Sequence, residues 1–378
     1  MARCASLLAL GVFFVALCRP VDGCSLCPMM IKKDTLGQEI DRAKIVLYGF
    51  IANSDIVAST TDFHIEQTIK RDPFLDGVKT IKLERYLPIP DAKDPPRYLL
   101  FCDVFKDKLD PYHGRALNSG KTLLDYVNSA RPMRGKDRVE ALLFYAKFLD
   151  HSDPAVAEDA FLEFAKSNDQ DVGQAAKRLS PERFRNLMNH AKTDPDRLGL
   201  YAFLLGASGS AKDAAFLRRW IDRPSPEQKK ALDGLLCGYV TLEPQEGWKL
   251  ASALAADSKQ DFNTRFAIVR ATRFLYNWKP KEHRTDVVRL LKGMLPDPEV
   301  ADLAVEDLRR WRIWDLTADV LACYRKKGYD APIIERTIVR YALNCPLPAA
   351  RDFVERIRKI DPEMIDELRE ALAFESGK

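Results

Sequence analysis

Two periods of hydrophobic and polar residues run along this chain, and they change over near residue 120. From residue 44 to about residue 118 the pattern alternates. KIVLYGFIANS, TDFHIEQTIK, KTIKLERYLPI and RYLLFCDVFKDK are short runs rich in β-branched and aromatic residues. In the second run Phe63, Ile65 and Ile69 fall on one face of an extended strand, and His64, Glu66 and Lys70 on the other. Asp72-Pro73, Asp76-Gly77 and Asp94-Pro95-Pro96 supply turn chemistry between the runs. Strands at this spacing, with no helical pattern between them, predict a small antiparallel sandwich or barrel, to which residues 112–118 add a weaker fifth strand.

Past Gly120 the period becomes helical and stays so. In HSDPAVAEDAFLEFAK, Asp153 is placed to cap a helix and Pro154 suits its first position, where a missing N–H costs nothing. Val156, Ala157, Ala160, Phe161 and Phe164 then trace an apolar stripe. Asp297, Pro298, Val300, Ala301 and Ala304 repeat that grammar position for position. Asp169, Val172, Gly173 and Ala176 echo it, and the segment from Asp330 does so with a one-residue shift. Helices too short to bury their faces alone stack into solenoids. The Asp-Pro-x-Val-Ala-x-x-Ala grammar resembles HEAT repeats, which implies an α-solenoid from about Lys121 to the C-terminus.

The N-terminus reads as an export signal. Arg3 gives a positive start, residues 5–18 form an apolar run of about fourteen residues, and Pro20 breaks it. Val21 and Gly23 suit a cleavage site that leaves Cys24 first. The expected address is secreted or periplasmic, with a lipid anchor at Cys24 as the lesser alternative. No later stretch is long and apolar enough to span a bilayer. The formal charge of +4 is small and evenly interspersed, which counts against a nucleic-acid partner.

The alternating half also resembles a known module. A cysteine pair at the mature N-terminus, then AKIVLYGFIANS, then a Phe-x-Ile strand ending in TIKRDP, then the cysteine of LLFCDVF, is similar to the netrin-like module. That OB-type barrel is shared by tissue inhibitors of metalloproteinases. Here the pair is Cys-x-x-Cys where the inhibitors carry Cys-x-Cys. The expected fold class is therefore multidomain β + α: a signal peptide over residues 1–23, a small antiparallel OB-type β-barrel over 24–118, and a HEAT-like α-solenoid over 119–378.

Four readings compete for CSLCP. Haem attachment fails because Pro28 stands where histidine is needed. A redox pair should open a helix inside a βαβ unit, and this pair precedes any strand. A zinc site needs two more ligands, with Cys102 and His64 or His113 as the candidates. The favoured reading is a disulfide from Cys24 or Cys27 to Cys102, Cys27 slightly preferred, which would close a loop of about 75 residues and contribute about 3–4 kcal/mol on the chain-entropy model. Cys237, Cys323 and Cys345 lie in apolar helical context. If the helices around the last two are antiparallel neighbours, those sulfurs differ by about 12 Å along the axis, beyond the Cα separation of about 7 Å that a bridge tolerates. Buried free thiols are expected.

GRALNSGKT is not a P-loop, since five residues separate its glycines and no buried strand leads into it. The five histidines do not cluster, so no catalytic base, metal or cofactor is expected. RRWRIWD is the densest run of interface-prone residues, and Arg309, Arg310, Trp311, Arg312 and Trp314 are the candidate partner-binding patch. The expected function is an exported, non-catalytic adaptor or structural protein that binds a protein or peptide. The alternatives are a metalloprotease inhibitor acting through mature Cys24, as the resemblance implies, and a thiol-disulfide oxidoreductase using Cys24 and Cys27.

Overall fold

The computed structural model describes residues 23–27, 33–117 and 121–375. The expected leader up to residue 22, Pro28 of the CSLCP motif and the expected domain boundary at residues 118 and 119 lie outside them. A short helix, α1 (Leu36–Arg42), leads into β1 (Ile45–Asp55), β2 (Thr60–Lys70), β3 (Thr80–Leu83), β4 (Arg97–Phe105) and β5 (Lys108–Leu117). The strands form one open antiparallel sheet in the order β3-β2-β1-β4-β5.

Two local departures from simple alternation shape this sheet. RYLLFCDVFKDK is not one strand: the chain reverses at Lys106 and Asp107, both at positive φ (49° and 56°), so β5 starts at Lys108 rather than near Tyr112. That two-residue reversal normally advertises itself with Asn or Gly, and neither is present. In β2, register shifts opposite Tyr48/Gly49 and Val46/Leu47 break the period, and Ile69 joins a different core from Phe63 and Ile65. Ile45, Leu47, Ile51, Phe63, Ile81, Leu100 and Cys102 pack on one face. Val46, Tyr48, Ile69, Leu99 and Phe101 pack on the other, against α1 and the helical half.

The helical half runs α2 (Thr122–Ala130), α3 (Arg138–Tyr145), α4 (Pro154–Ala165), α5 (Asp169–Ala176), α6 (Pro181–Asn189), α7 (Leu198–Ser208), α8 (Ala211–Asp222), α9 (Pro226–Lys229) and α10 (Leu232–Leu242). It continues with α11 (Pro244–Ala256), α12 (Phe262–Trp278), α13 (Pro280–Met294), α14 (Ala301–Arg310), α15 (Thr317–Leu321), α16 (Pro332–Asn344), α17 (Pro348–Ile360) and α18 (Pro362–Glu375). One series packs side by side, α3 on α5, α5 on α7, α7 on α10, α10 on α12, α12 on α14, α14 on α16 and α16 on α18. The helices between them pack behind, with α8 on α10, α11 on α13 and α15 on α17.

The Asp-Pro grammar is kept at α4, where the Asp153 carboxylate accepts the Ala155 N–H. It shifts elsewhere. At the second copy Asp297 accepts the Glu299 N–H, but Val300 sits at φ −133° and the helix proper begins at Ala301. At the third copy the cap is Asn168, one residue before Asp169. Closeness between α7 and α10 comes from glycine: a Cβ on Gly206 would lie 2.2 Å from Gly238 Cα, so these two backbones touch. A Cβ on Gly173 of α5 would lie 2.1 Å from the Trp278 indole nitrogen, which lets α12 reach back to α5.

Helix α1 fastens sheet to helices. Thr35 and Gln38 form a capping box at its start. At its end Lys70 Nζ donates to the carbonyls of Ile40, Asp41 and Ala43 at 3.1, 2.8 and 2.6 Å, so a strand residue satisfies the orphan acceptors. Arg115 of β5 pairs with Glu39 at 3.2 Å. On the other side the Leu36 N–H donates to Asp159 of α4 at 2.6 Å. One buried apolar cluster therefore runs from Cys24 through the sheet's inner face and the helices to Leu368. Among the described residues no helix is long and apolar enough to cross a membrane.

Candidate functional site

The cysteine pair of the CSLCP motif is built into the helical half. Cys24 is fully buried and its N–H donates to the Ala165 carbonyl at 2.9 Å, at the end of α4. Ser25 donates to Asp169 through both its N–H (2.8 Å) and its hydroxyl (2.6 Å). Asn277 of α12 reaches the same carboxylate at 3.1 Å. Asp169, the residue that reads as a helix cap, is thus a socket. Burial pushes its carboxyl up from 3.8 to about 6, against the downward pull of the hydrogen bonds from Ser25, Asn277 and Cys24.

A second buried carboxylate continues the row. Asp159 accepts from Leu36 N–H and from the Tyr126 hydroxyl at 2.7 Å, and burial raises it to about 6. Burial, then the Asp159 charge, raises the Tyr126 phenol too. One turn on, Glu163 pairs with Arg138 at 2.7 Å, and Arg138 also binds Ser167 Oγ at 2.7 Å. Asp159 and Glu163 are four apart on α4 beside its apolar stripe. That i, i+4 spacing is the signal the sequence carries for this pair.

All six described cysteines are free thiols. The expected bridge to Cys102 is not formed. Cys102 pairs with Ile45 and faces the sheet's outer core, whereas Cys24 and Cys27 lie in the core on the other face, so the sheet itself stands between them. Burial raises the Cys102 thiol to about 12. Cys237, Cys323 and Cys345 are buried, with Cys237 Sγ 3.5 Å from the Ala271 carbonyl. His64 stacks on Phe50 and contacts Thr80, and His113 leans on Phe101. Among the described residues no three His, Cys, Asp or Glu side chains are placed to hold a metal.

RRWRIWD divides by role. Arg309 is 9% exposed; it bonds Glu306 on its own helix (2.7 Å) and ties α14 to Asn344 of α16 (2.9 Å) and Glu375 of α18 (3.0 Å). Trp311 lies on Tyr276 with centroids 4.2 Å apart, and Trp314 meets Tyr341 edge-on at 5.0 Å. Arg310 and Arg312 are exposed, the latter at φ +54°. Three of the five residues are therefore occupied in packing.

A feature the sequence did not announce is a cleft of about 770 Å³ between the segment before α4 and the start of α7. His151, Arg183, His190, Lys192 and Arg197 line it, with Asp150 and Asp194. His151 Nδ1 accepts the Asp153 N–H at 3.0 Å and His190 Nδ1 accepts the Lys192 N–H at 3.3 Å. With Nδ1 accepting, the proton of each neutral ring sits on Nε2. Arg197 is held over the Phe161 ring, and its buried Nε makes no hydrogen bond, with Asp194 Oδ2 4.0 Å away. The cleft is rich in donors. No protein-family model, curated protein or solved structure matches this chain.

Proposed function

We propose that this chain is an exported, non-catalytic adaptor that binds an extended protein segment in the cleft lined by His151, Arg183, His190, Lys192 and Arg197. The observation that carries the reading is the donor-rich lining: two imidazole Nε2–H groups and the Lys192 ammonium, beside the Arg183 and Arg197 side chains, suit backbone carbonyls and acidic side chains of a peptide. The frame behind it is a HEAT-like solenoid, a reading supported by the side-by-side helix series and the Asp-Pro start at α4. The sheet order is that of an OB-type barrel left open between β3 and β5, which supports the netrin-like reading.

The inhibitor alternative needs the Cys24 amino group to reach a partner's metal. Burial of Cys24 and its hydrogen bond to Ala165 count against it. The oxidoreductase alternative needs a ready thiolate, and the hydrogen bond to Cys27, followed by burial, raises the Cys24 thiol well above its ordinary range. The test is cross-linking of the exported chain in its native cell fraction, wild type against the double variant His190→Ala, Lys192→Glu. Cross-links that map to the cleft and vanish in the variant support the reading. Cross-links that persist unchanged, or that map to other faces, refute it.

A further inference from the structure

We propose that Cys24 and Cys27 form a local disulfide that closes the N-terminal arm on itself inside its socket. The Cys27 N–H donates to the Cys24 carbonyl at 2.9 Å, an i to i+3 turn. Such a turn holds its first and last Cα within about 7 Å, the range that a disulfide spans. Both side chains are buried in the same apolar core. The turn is held from outside by Asp169, which takes both Ser25 donors, and by Ala165. Every other described thiol is placed elsewhere: Cys102 in the opposite core, Cys237 against Ala271, Cys323 against Asp319 and Cys345 against Thr317.

The oxidant is an external disulfide, either a small molecule such as oxidised glutathione or an oxidised dithiol protein. Cys27, 5% exposed where Cys24 is fully buried, is the thiol an oxidant meets first. Its thiolate attacks one sulfur of the external disulfide and releases one thiol, leaving a mixed disulfide. The Cys24 sulfur then attacks the Cys27 sulfur and expels the second thiol. Its proton passes, by way of the Asp169 carboxylate that holds the turn, to the departing thiolate. Two protein thiols lose two electrons and two protons, and the external disulfide becomes two thiols. The burial that slows this exchange also shields the product from reductants, so the bond serves as a latch rather than a turnover site.

The test uses the full exported chain, as purified and after incubation with oxidised glutathione. Free thiols are alkylated in denaturant, disulfides are reduced, and the new thiols take a second, heavier label for peptide mapping. The expected result is the second label on Cys24 and Cys27 together, with Cys102, Cys237, Cys323 and Cys345 carrying the first. First label on both Cys24 and Cys27 in folded, glutathione-treated protein overturns the proposal, as does pairing of either with Cys102. A Cys27→Ser variant, checked for folding by circular dichroism, should leave Cys102 with the first label. The latch role predicts that the Ser25 amide exchanges about tenfold more slowly in the oxidised form; equal exchange in the two forms refutes that role.

Discussion

Asp169→Ala removes the acceptor that receives Ser25 N–H, Ser25 O–H and Asn277 Nδ2 at 2.8, 2.6 and 3.1 Å. Hydrogen bonds to a charged acceptor contribute about 1.5–3 kcal/mol each, and an orphaned buried donor costs about 1–3 kcal/mol. Against these stands the cost of keeping Asp169 ionised: a carboxyl moved from 3.8 to about 6 is destabilised at neutral pH by about 3 kcal/mol relative to the unfolded chain. The difference leaves a net loss of about 2–4 kcal/mol. The loss should be local, because the carboxylate holds the arm and not the sheet. Hydrogen exchange in native buffer should show the Ser25 amide losing most of its protection while Val46 and Tyr48 in β1 keep theirs. A change below about 0.5 kcal/mol, with Ser25 still protected, would refute the socket.

The Gly206→Ala variant should destabilise by about 2–3 kcal/mol in urea melts, because its Cβ meets the Gly238 backbone. Gly293→Ala on α13, where a Cβ meets nothing, should instead stabilise by up to about 1 kcal/mol; equal effects would contradict the close α7–α10 crossing. Arg309→Met should cost about 1–2 kcal/mol by removing the buried guanidinium that bonds Glu306, Asn344 and Glu375, whereas Arg312→Ala should leave the urea midpoint unchanged. Burial raises Asp159, Asp169 and Asp307 to about 6, so the cost of ionising them inside the fold is absent below about pH 4, grows as pH rises, and is complete once pH passes 6. Moving from pH 7 to pH 5 should then gain about 1 kcal/mol for each. Glu306 works the other way and outside that window: burial raises it, but hydrogen bonds from Arg309 and Arg310 outweigh this and hold it at about 2, so its contribution is lost only as pH falls below about 4.5. A urea midpoint that is lower at pH 5 than at pH 7 would contradict the burial of these three carboxyls.

The change of period near residue 120 was legible because it is a property of the local chain. The last strand ends at Leu117 and the first helix of the second half starts at Thr122. The Asp153-Pro154 start was legible for the same reason, since the cap and first turn are satisfied within a few residues. What the sequence hid depends on partners far along the chain. Asp169 looks like a cap, and its burial follows from Ser25, 144 positions away, and Asn277, 108 positions away. Compartment and loop length make Cys102 a match for Cys24 or Cys27, but neither carries information about which face of the sheet a side chain occupies. The alternation of β4 sends Phe101 to one core and Cys102 to the other, and that one-residue step decides the pairing. The cleft beside α4 was hidden because His151 and His190 are 39 positions apart and neither repeats a spacing.

The central physical claim is one continuous core joining the sheet's inner face to the helices through α1 and the arm. All five tryptophans lie at residue 220 or beyond, so their fluorescence reports only the helical half. Hydrogen exchange at Val46 and Tyr48 reports the sheet. Followed together through a urea titration, the two signals should share one midpoint. Loss of sheet protection at a urea concentration where tryptophan fluorescence is still native would show two independent bodies and contradict the account.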